Sequence, residues 1–299
     1  MKAVTQEYNT RQTMLPCNYE FFYYEDRTTR KIEYHHHDFY EVYFLFSGNV
    51  TYIIDSRSYS MKPGDILLIS PRQIHKPVFN EDMGTYERMV LWIDPDFIRR
   101  ISTGQTNLLT CFEGAFREKK SMIRTSTSSP SLMKPLLLKL NSSMHSNEFG
   151  DDILRDVYVR EVLVLLNRMY ASHDMGRMEP DIEVNQIAER VTDFVEKNID
   201  QEITLDTLSN ELFVSKFHLS REFKRYTGCT IHKYIMQKRL IYARELIRRK
   251  TPITQVYLKC GFNDYSSFLR AFKSEYNMTP KQLMKTGEGE HPGNREELR

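Results

Sequence analysis

Two stretches near the C-terminus carry similar side chains at matching spacing. The first holds Lys216, Phe217, Ser220, Arg221 and Lys224; the second holds Tyr265, Ser266, Leu269, Arg270 and Lys273. On a helix, positions i, i+3, i+4 and i+7 share one face. Phe217, Ser220, Arg221 and Lys224 therefore form one stripe, and Ser266, Leu269, Arg270 and Lys273 another. Each stripe mixes hydrogen-bonding groups with cations. Such a face suits the major groove of duplex DNA, which admits one helix and lets arginine bond bidentately to guanine. The competing explanation is that Arg221 and Arg270 only solvate a helix surface, and for one arginine alone that would be preferred. Two stripes at the same helical phase favour groove contact.

The elements that would hold these stripes repeat. A shift of 48 residues pairs Leu205 with Ile253, Leu208 with Val256, Leu212 with Cys260 and Val214 with Phe262. After the extra residue Asn263 the shift becomes 49 and pairs Ser215 with Asp264, Leu219 with Phe268, Arg221 with Arg270, Phe223 with Phe272 and Lys224 with Lys273. Each copy reads as a short amphipathic helix, a tight turn and a second helix. Ser215 and Asp264 are N-cap residues for the second helices. Gly228 and Asn277 end them, both types tolerating a left-handed cap. Leu219 and Phe223, like Phe268 and Phe272, lie one turn apart and should face the core. Two helices joined by so short a turn form the helix-turn-helix pattern.

Charge is partitioned in the same way. The 299 residues carry 42 Lys/Arg and 40 Asp/Glu, a net of +2. Residues 203–286 hold 16 Lys/Arg against 6 Asp/Glu, or +10, leaving −8 for the remainder. A basic block on an acidic body is a common footprint of a nucleic-acid-binding module. The length exceeds one usual domain of about 100–200 residues, so two domains are expected. No apolar run reaches the roughly 18 residues of a membrane span, and the polar N-terminus MKAVTQEYNTRQ lacks a secretory apolar stretch. Cys17, Cys111, Cys229 and Cys260 stand far apart without a CxxC pair. That excludes a sequence-local zinc knuckle and argues for a reducing, cytoplasmic setting.

The first hundred residues read as short strands: Tyr40 to Phe46, Val50 to Asp55, Ser58 to Met61, Asp65 to Ile69 and Arg88 to Ile93. Turn formers separate them closely, which suggests a small barrel or sandwich. From about Ile98 the period changes, and Leu132 to Met144 and Ile153 to Tyr170 read as helices. The apolar stripe of the second is broad enough to pack on the barrel or to pair with its twin in a homodimer. Tyr40, Tyr43, Phe44, Phe46, Tyr52 and Trp92 run through the strands. By strict alternation half of them face away from a barrel interior. The expected organisation is an effector domain over residues 1–175, a linker over 176–185, a helical DNA-binding domain over 186–286 and a disordered tail over 287–299.

The stretches ITLDTLSNELFVSKFHLSREFKRYTG and ITQVYLKCGFNDYSSFLRAFKSEYNMTP resemble the DNA-binding module of the AraC/XylS family of transcription regulators. The resemblance implies that a long helix, here Ile231 to Arg249, joins two subdomains whose recognition helices enter successive major grooves. It implies that Arg221 and Arg270 face DNA, and that Phe217, Ser220, Tyr265 and Ser266 contact bases or backbone. Phe213 departs from the pattern, standing in the first turn where the family usually has glycine. Leu269 departs too, where a small polar residue is common, which suggests contact with a thymine methyl or none.

HHHDFYEVYFLFSG, KPGDILLISPRQIH and the strand containing Trp92 resemble the cupin-like effector domain often attached to this module. His35-x-His37-x3-Glu41-x6-Gly48 fits the first cupin motif. Gly64 to His75 fits the second in length, with Ser70 and Arg72 replacing its usual Pro and Gly, and Phe79 standing where Asn is expected. In metal cupins, residues matching His35, His37, Glu41 and His75 bind one divalent ion, and three imidazoles with a carboxylate suit iron, manganese, nickel or zinc. Regulator cupins often keep these residues without a metal, so no metal and no cofactor is expected. Instead His35, His37, Glu41, Tyr43, His75 and Trp92 are the candidate contacts for a small effector, with a sugar as the leading class. Aromatic faces would stack on the ring while polar groups bond its hydroxyls.

The expected fold is therefore α+β in two domains: an N-terminal cupin-like β-barrel with trailing helices and an all-α C-terminal domain with two helix-turn-helix motifs. The expected function is ligand-responsive transcription regulation, as an activator, with double-stranded DNA, a small-molecule effector, a second copy of the chain and RNA polymerase as partners and no membrane. Two rivals stay open: a metal-dependent cupin enzyme with an accessory DNA-binding domain, and a ligand-independent regulator with a filled barrel. A DNA alkyl-repair protein, which would place four zinc-binding cysteines ahead of such a module, is excluded because only Cys17 and Cys111 precede it.

Overall fold

The structure, a computed structural model, describes residues 5, 13–27, 32–79, 84–124, 133–171 and 181–286. The chain divides into two compact units, residues 1–184 and 185–299. The expected disordered tail lies outside the described residues.

In the first unit the strands are β1 (Tyr19–Asp26), β2 (Tyr40–Ser47), β3 (Val50–Ile54), β4 (Arg57–Met61), β5 (Ile66–Ile69), β6 (His75–Phe79), β7 (Tyr86–Ile93), β8 (Met122–Ile123) and β9 (Ile182–Val184). The helices are α1 (Pro95–Ile101), α2 (Thr110–Arg117), α3 (Met133–Met144) and α4 (Asp151–Ala171). All pairing is antiparallel, in a five-stranded sheet of order β1-β7-β2-β5-β8 and a four-stranded sheet of order β6-β3-β4-β9. Gly48 turns β2 into β3 at φ +103°, and a Cβ there would come within 3.1–3.3 Å of Tyr86 and the Thr85 carbonyl.

Both faces of the five-stranded sheet are covered. One face contributes Phe22, Tyr24, Tyr43, Leu45, Val90 and Trp92 to a core shared with Val50, Tyr52, Ile54, Tyr59 and Met61 of the four-stranded sheet. The other contributes Phe21, Tyr23, Val42, Phe44, Met89 and Leu91 to a core built with Phe112 of α2, Leu137 and Leu140 of α3, and Val159, Val162 and Leu166 of α4. Two-sided burial explains why β1 went unread in the sequence: YEFFYYED has no hydrophobic alternation to betray a strand. β6, α1 and α2 were also unread. Of the six strand aromatics, Tyr43, Tyr52 and Trp92 lie between the sheets, and Tyr40, Phe44 and Phe46 lie on the helix side.

The segment expected as a linker is partly sheet. Its residues 176–180 are outside the described set, but Ile182–Val184 pairs with Arg57–Tyr59 of β4. The start of β9 is held by the buried Arg124, whose Nη2 donates to Asp65 Oδ2 at 2.8 Å and to the Ser60 carbonyl at 2.8 Å. Its Nη1 reaches Asp181 Oδ2 at 3.1 Å. A short strand with so little ladder of its own depends on this clamp.

The second unit is helical: α5 (Gln186–Lys197), α6 (Leu205–Leu212), α7 (Lys216–Thr227), α8 (Ile231–Arg248), α9 (Ile253–Lys259), α10 (Tyr265–Tyr276) and α11 (Pro280–Thr286). Asn185, Thr204, Ser215, Thr230 and Asp264 each cap a helix by accepting a backbone N–H through the side chain. Gly228 and Asn277 end α7 and α10 in the left-handed region, at φ +81° and +52°. Leu219 and Phe223 of α7 are fully buried, with Phe223 edge-on to Tyr234 of α8 at 5.4 Å. Phe268 and Phe272 of α10 pack with Leu240, Ala243, Leu246 and Ile247 of α8. Two helix-turn-helix units thus share the long helix α8.

The two turns differ. The shift of 48 residues pairs Gly261, at φ +72°, with Phe213, at φ +52°. A Cβ at Gly261 would meet the Ile199 carbonyl at 2.5 Å, so glycine there serves space as well as φ. At Phe213 a bulky L-residue sits in a conformation that costs about 1–2 kcal/mol, and its ring is 92% exposed. Phe213→Gly should stabilise the protein by about 0.5–1 kcal/mol, the relieved strain less the larger unfolded-state entropy of glycine. A higher urea midpoint at unchanged m-value is the expected readout.

Candidate functional site

One end of the space between the sheets gathers polar groups. Glu41 of β2 faces inward beside Trp92 of β7, its cross-strand partner. The Trp92 indole Nε1 donates to Glu41 Oε2 at 2.8 Å. His75, at the start of β6, reaches the same place because its backbone exchanges hydrogen bonds with that of His35, at 2.8 and 3.1 Å. The ring centroids lie 4.4 Å apart for His35 and His75, and 4.9 Å for His37 and His75. Phe39 stacks on the His37 ring at 3.9 Å and leans on Trp92 at 4.5 Å. Phe22 stands edge-on to Trp92 at 4.8 Å. Phe22 and Phe39 were missed by sequence reasoning, one in the unread strand β1 and the other outside any strand. Tyr43, expected in the set, turns its hydroxyl to that of Tyr86 and packs on Tyr52 at 4.9 Å.

The imidazoles share one orientation. Nδ1 lies beside a backbone carbonyl in all three: Glu33 for His35 at 2.9 Å, Phe39 for His37 at 2.9 Å, and Gln73 for His75 at 3.3 Å. A carbonyl can only accept, so each Nδ1 donates, and Nε2 is the nitrogen each ring has left for the cluster. Nε2 of His37 and of His75 is buried without a hydrogen-bond partner. His37 Nε2 also faces Glu41 Oε2 across 3.2 Å. Ligand atoms of His37, Glu41 and His75 all lie within 4.8 Å of one another. Backbone-anchored Nδ1 is the usual outer support of a metal-bound imidazole. His37, Glu41 and His75, with His35 beside them, therefore fit a divalent transition ion as a donor set. Such an ion would supply a positive centre for an oxygen donor of a bound ligand.

The second site is on the helical unit. Lys216, Phe217, Arg221 and Lys224 of α7 are exposed and Ser220 is half-buried, opposite the buried Leu219 and Phe223. Tyr265, Ser266, Arg270 and Lys273 of α10 are exposed and Leu269 half-buried, opposite Phe268 and Phe272. The Arg221 guanidinium lies 5.7 Å from the Phe217 ring centre, and its Nε is 3.3 Å from Glu222 Oε1. Lys216 pairs with Asp206, and Arg270 donates to Ser267 Oγ at 3.3 Å. All ten expected side chains thus sit on the two second helices, along faces turned from the core.

Known proteins show the same two parts in the same order. The description "AraC-like ligand binding domain" matches residues 18–163 and "Helix-turn-helix domain" matches residues 208–286. The HTH-type transcriptional activator RhaS of Salmonella schwarzengrund is 24% identical over 255 residues, covering 83% of this chain and 86% of the relative. RhaS of an Enterobacter species is 25% identical over 254 residues, with the same coverage. Among solved structures, ToxT from Vibrio cholerae is 17% identical, covering 90% of this chain and 98% of that one, at a TM-score of 0.35. No helix among the described residues is long and apolar enough to cross a membrane. An effector-type sheet domain ahead of paired helix-turn-helix motifs defines a ligand-responsive, DNA-binding transcription regulator. The chain belongs to the AraC family of such regulators.

Burial gives the histidine cluster a pH signature. It pushes the His35 imidazole down to about 4 and that of His75 well below its ordinary value. The unfolded chain protonates these rings near the usual 6.5, whereas the folded chain does so only at lower pH. Their contribution is therefore complete above pH 6.5 and declines as pH falls, that of His35 being lost through about 4. The melting temperature should decline across that window, and His75→Gln should flatten the decline.

Proposed function

We propose that the protein is an activator whose two recognition helices, α7 and α10, enter successive major grooves, and whose polar cluster between the sheets holds a small polyhydroxy effector. The observation that carries the DNA reading is the matched phase of the two helices. Each buries a pair of apolar residues one turn apart and turns an arginine, a lysine and a hydroxyl outward. On this reading Arg221 and Arg270 read base edges, and Phe217, Ser220, Tyr265, Ser266 and Leu269 contribute hydrogen bonds and methyl contacts. Lys216, Lys224 and Lys273 meet phosphates. Activation is supported by the RhaS relatives, which are named as transcriptional activators. Contact with RNA polymerase and a cytoplasmic site of action, where the DNA lies, follow from the same reading. The protein then works by binding rather than by catalysing a reaction.

The effector class is argued from the site. The Glu41 carboxylate, the Trp92 indole N–H and two imidazole nitrogens converge within a setting walled by Phe22 and Phe39. Hydroxyl groups complement such a mixture, and a sugar brings several with an apolar ring face. The effector acts as a switch only through tighter binding to the activating form. The protein also offers a surface for a second copy: exposed Phe149 just before α4 and exposed Ile153, Leu154 and Val157 in its first turns. A homodimer built there would place two DNA-binding units on repeated half-sites.

Three outcomes check this reading. Arg221→Ala or Arg270→Ala should lose ~1–3 kcal/mol on the preferred sequence and relax preference at one position. A uniform loss on all sequences, measured by titration against a duplex panel, would make that arginine a phosphate contact. A thermal-shift screen of the full chain should give a saturable rise with one class of sugar. A rise with divalent metals alone would replace the sugar by the ion. Ile153→Asp should convert a sedimenting dimer to monomer.

A further inference from the structure

We propose that Phe213 is a further DNA-contacting residue, an apolar prong that reaches a thymine methyl beside Phe217 and gives the first helix-turn-helix a sequence preference of its own. The inference rests on the groove-binding reading of α7. Phe213 ends α6 two residues before Ser215, the cap of α7, in the turn that delivers the start of the recognition helix. Its backbone is left-handed at φ +52° and its side chain 92% exposed. The left-handed backbone ends α6 and makes the turn, but the fold does not call for an exposed phenylalanine at that position. Strained backbone persists chiefly where function uses it, and the equivalent turn of the second motif takes glycine, Gly261.

The neighbourhood says what the ring meets. Among the described residues of the second unit, the exposed large hydrophobic side chains are Leu205, Phe213, Phe217, Leu258 and Tyr265, all within the two helix-turn-helix motifs. Phe217, four residues beyond Phe213, is 75% exposed. Exposed Lys216, Arg221, Lys224 and Arg225 follow on α7. Apolar groups set among cations complement a surface that is polyanionic yet carries small apolar patches. The major groove has that chemistry, with phosphates along its walls and the thymine C5-methyl on its floor. A protein partner of ordinary composition would not call for the cations.

The test starts from duplexes selected from a randomised pool by the full-length protein. Phe213→Gly and Phe213→Asn both accept the left-handed turn, so folding is preserved, and melting curves verify it. Each should bind the selected duplex about five- to tenfold more weakly than wild type. Replacing one thymine by deoxyuridine, which removes only the methyl, should weaken wild type several-fold and leave Phe213→Gly unaffected. Equal affinity of Phe213→Gly and wild type would overturn the proposal. Unchanged affinity with reduced transcription in a purified system would overturn it too, assigning the ring to RNA polymerase. Arg221→Ala separates the two levels. If it weakens binding while Phe213→Gly does not, only the prong fails; if neither does, the groove reading of α7 fails as well.

Discussion

A helix that buries Leu219 and Phe223 leaves no freedom over where Arg221 points. At 100° per residue, the pair one turn apart in the core sets the outward direction of Phe217, Arg221 and Lys224. The same holds for α10, where Phe268 and Phe272 fix Arg270 and Lys273. Because both helices pack on α8, one 18-residue rod couples the two motifs within their unit. The arginines stay solvated, held lightly by Glu222 and Ser267. Exposed pairs of this kind are weak, so under the proposed reading the side chains move onto DNA at small cost.

The first unit has a different constraint: its five-stranded sheet is buried on both faces. Alternation then separates two jobs within a strand. Val42 and Phe44 of β2 hold the helices, while Glu41 and Tyr43 turn toward the other sheet. The polar cluster is concentrated at one end of that inner layer, where His75 is brought to His35 by a backbone bridge. The low dielectric that strengthens the Trp92–Glu41 bond also makes the buried Nε2 atoms of His37 and His75 costly to leave unmet. A buried group of this sort is a demand for a partner, and that demand is what supports the proposal of a binding site here rather than packing.

The two helix-turn-helix motifs are alike in core and caps but not in their turns. Gly261 is required by a backbone carbonyl 2.5 Å from where its Cβ would stand. Phe213 holds the matching left-handed position with its side chain exposed. The repeat thus keeps the geometry that positions each second helix and varies the residue in the turn before it.

Much of this was legible in the chain. Hydrophobic period, the 48- and 49-residue shifts and the caps at Ser215 and Asp264 located α6, α7, α9 and α10 and the side chains they expose. These features depend on contacts between near neighbours, which spacing encodes. The histidines and Glu41 were legible as motif residues, and their resemblance to a cupin-like domain anticipated the sheet architecture. Tertiary structure alone decided the rest. β1 hid in a run of residues apolar on both faces, and β9 is a strand only because β4 and Arg124 receive it. Trp92 meets Glu41 across 51 residues, Tyr43 turns away to Tyr86, and Phe39 enters the cluster from outside any strand. Each depends on which distant surfaces come together, and a linear pattern carries the spacing within an element but not the identity of what packs against it.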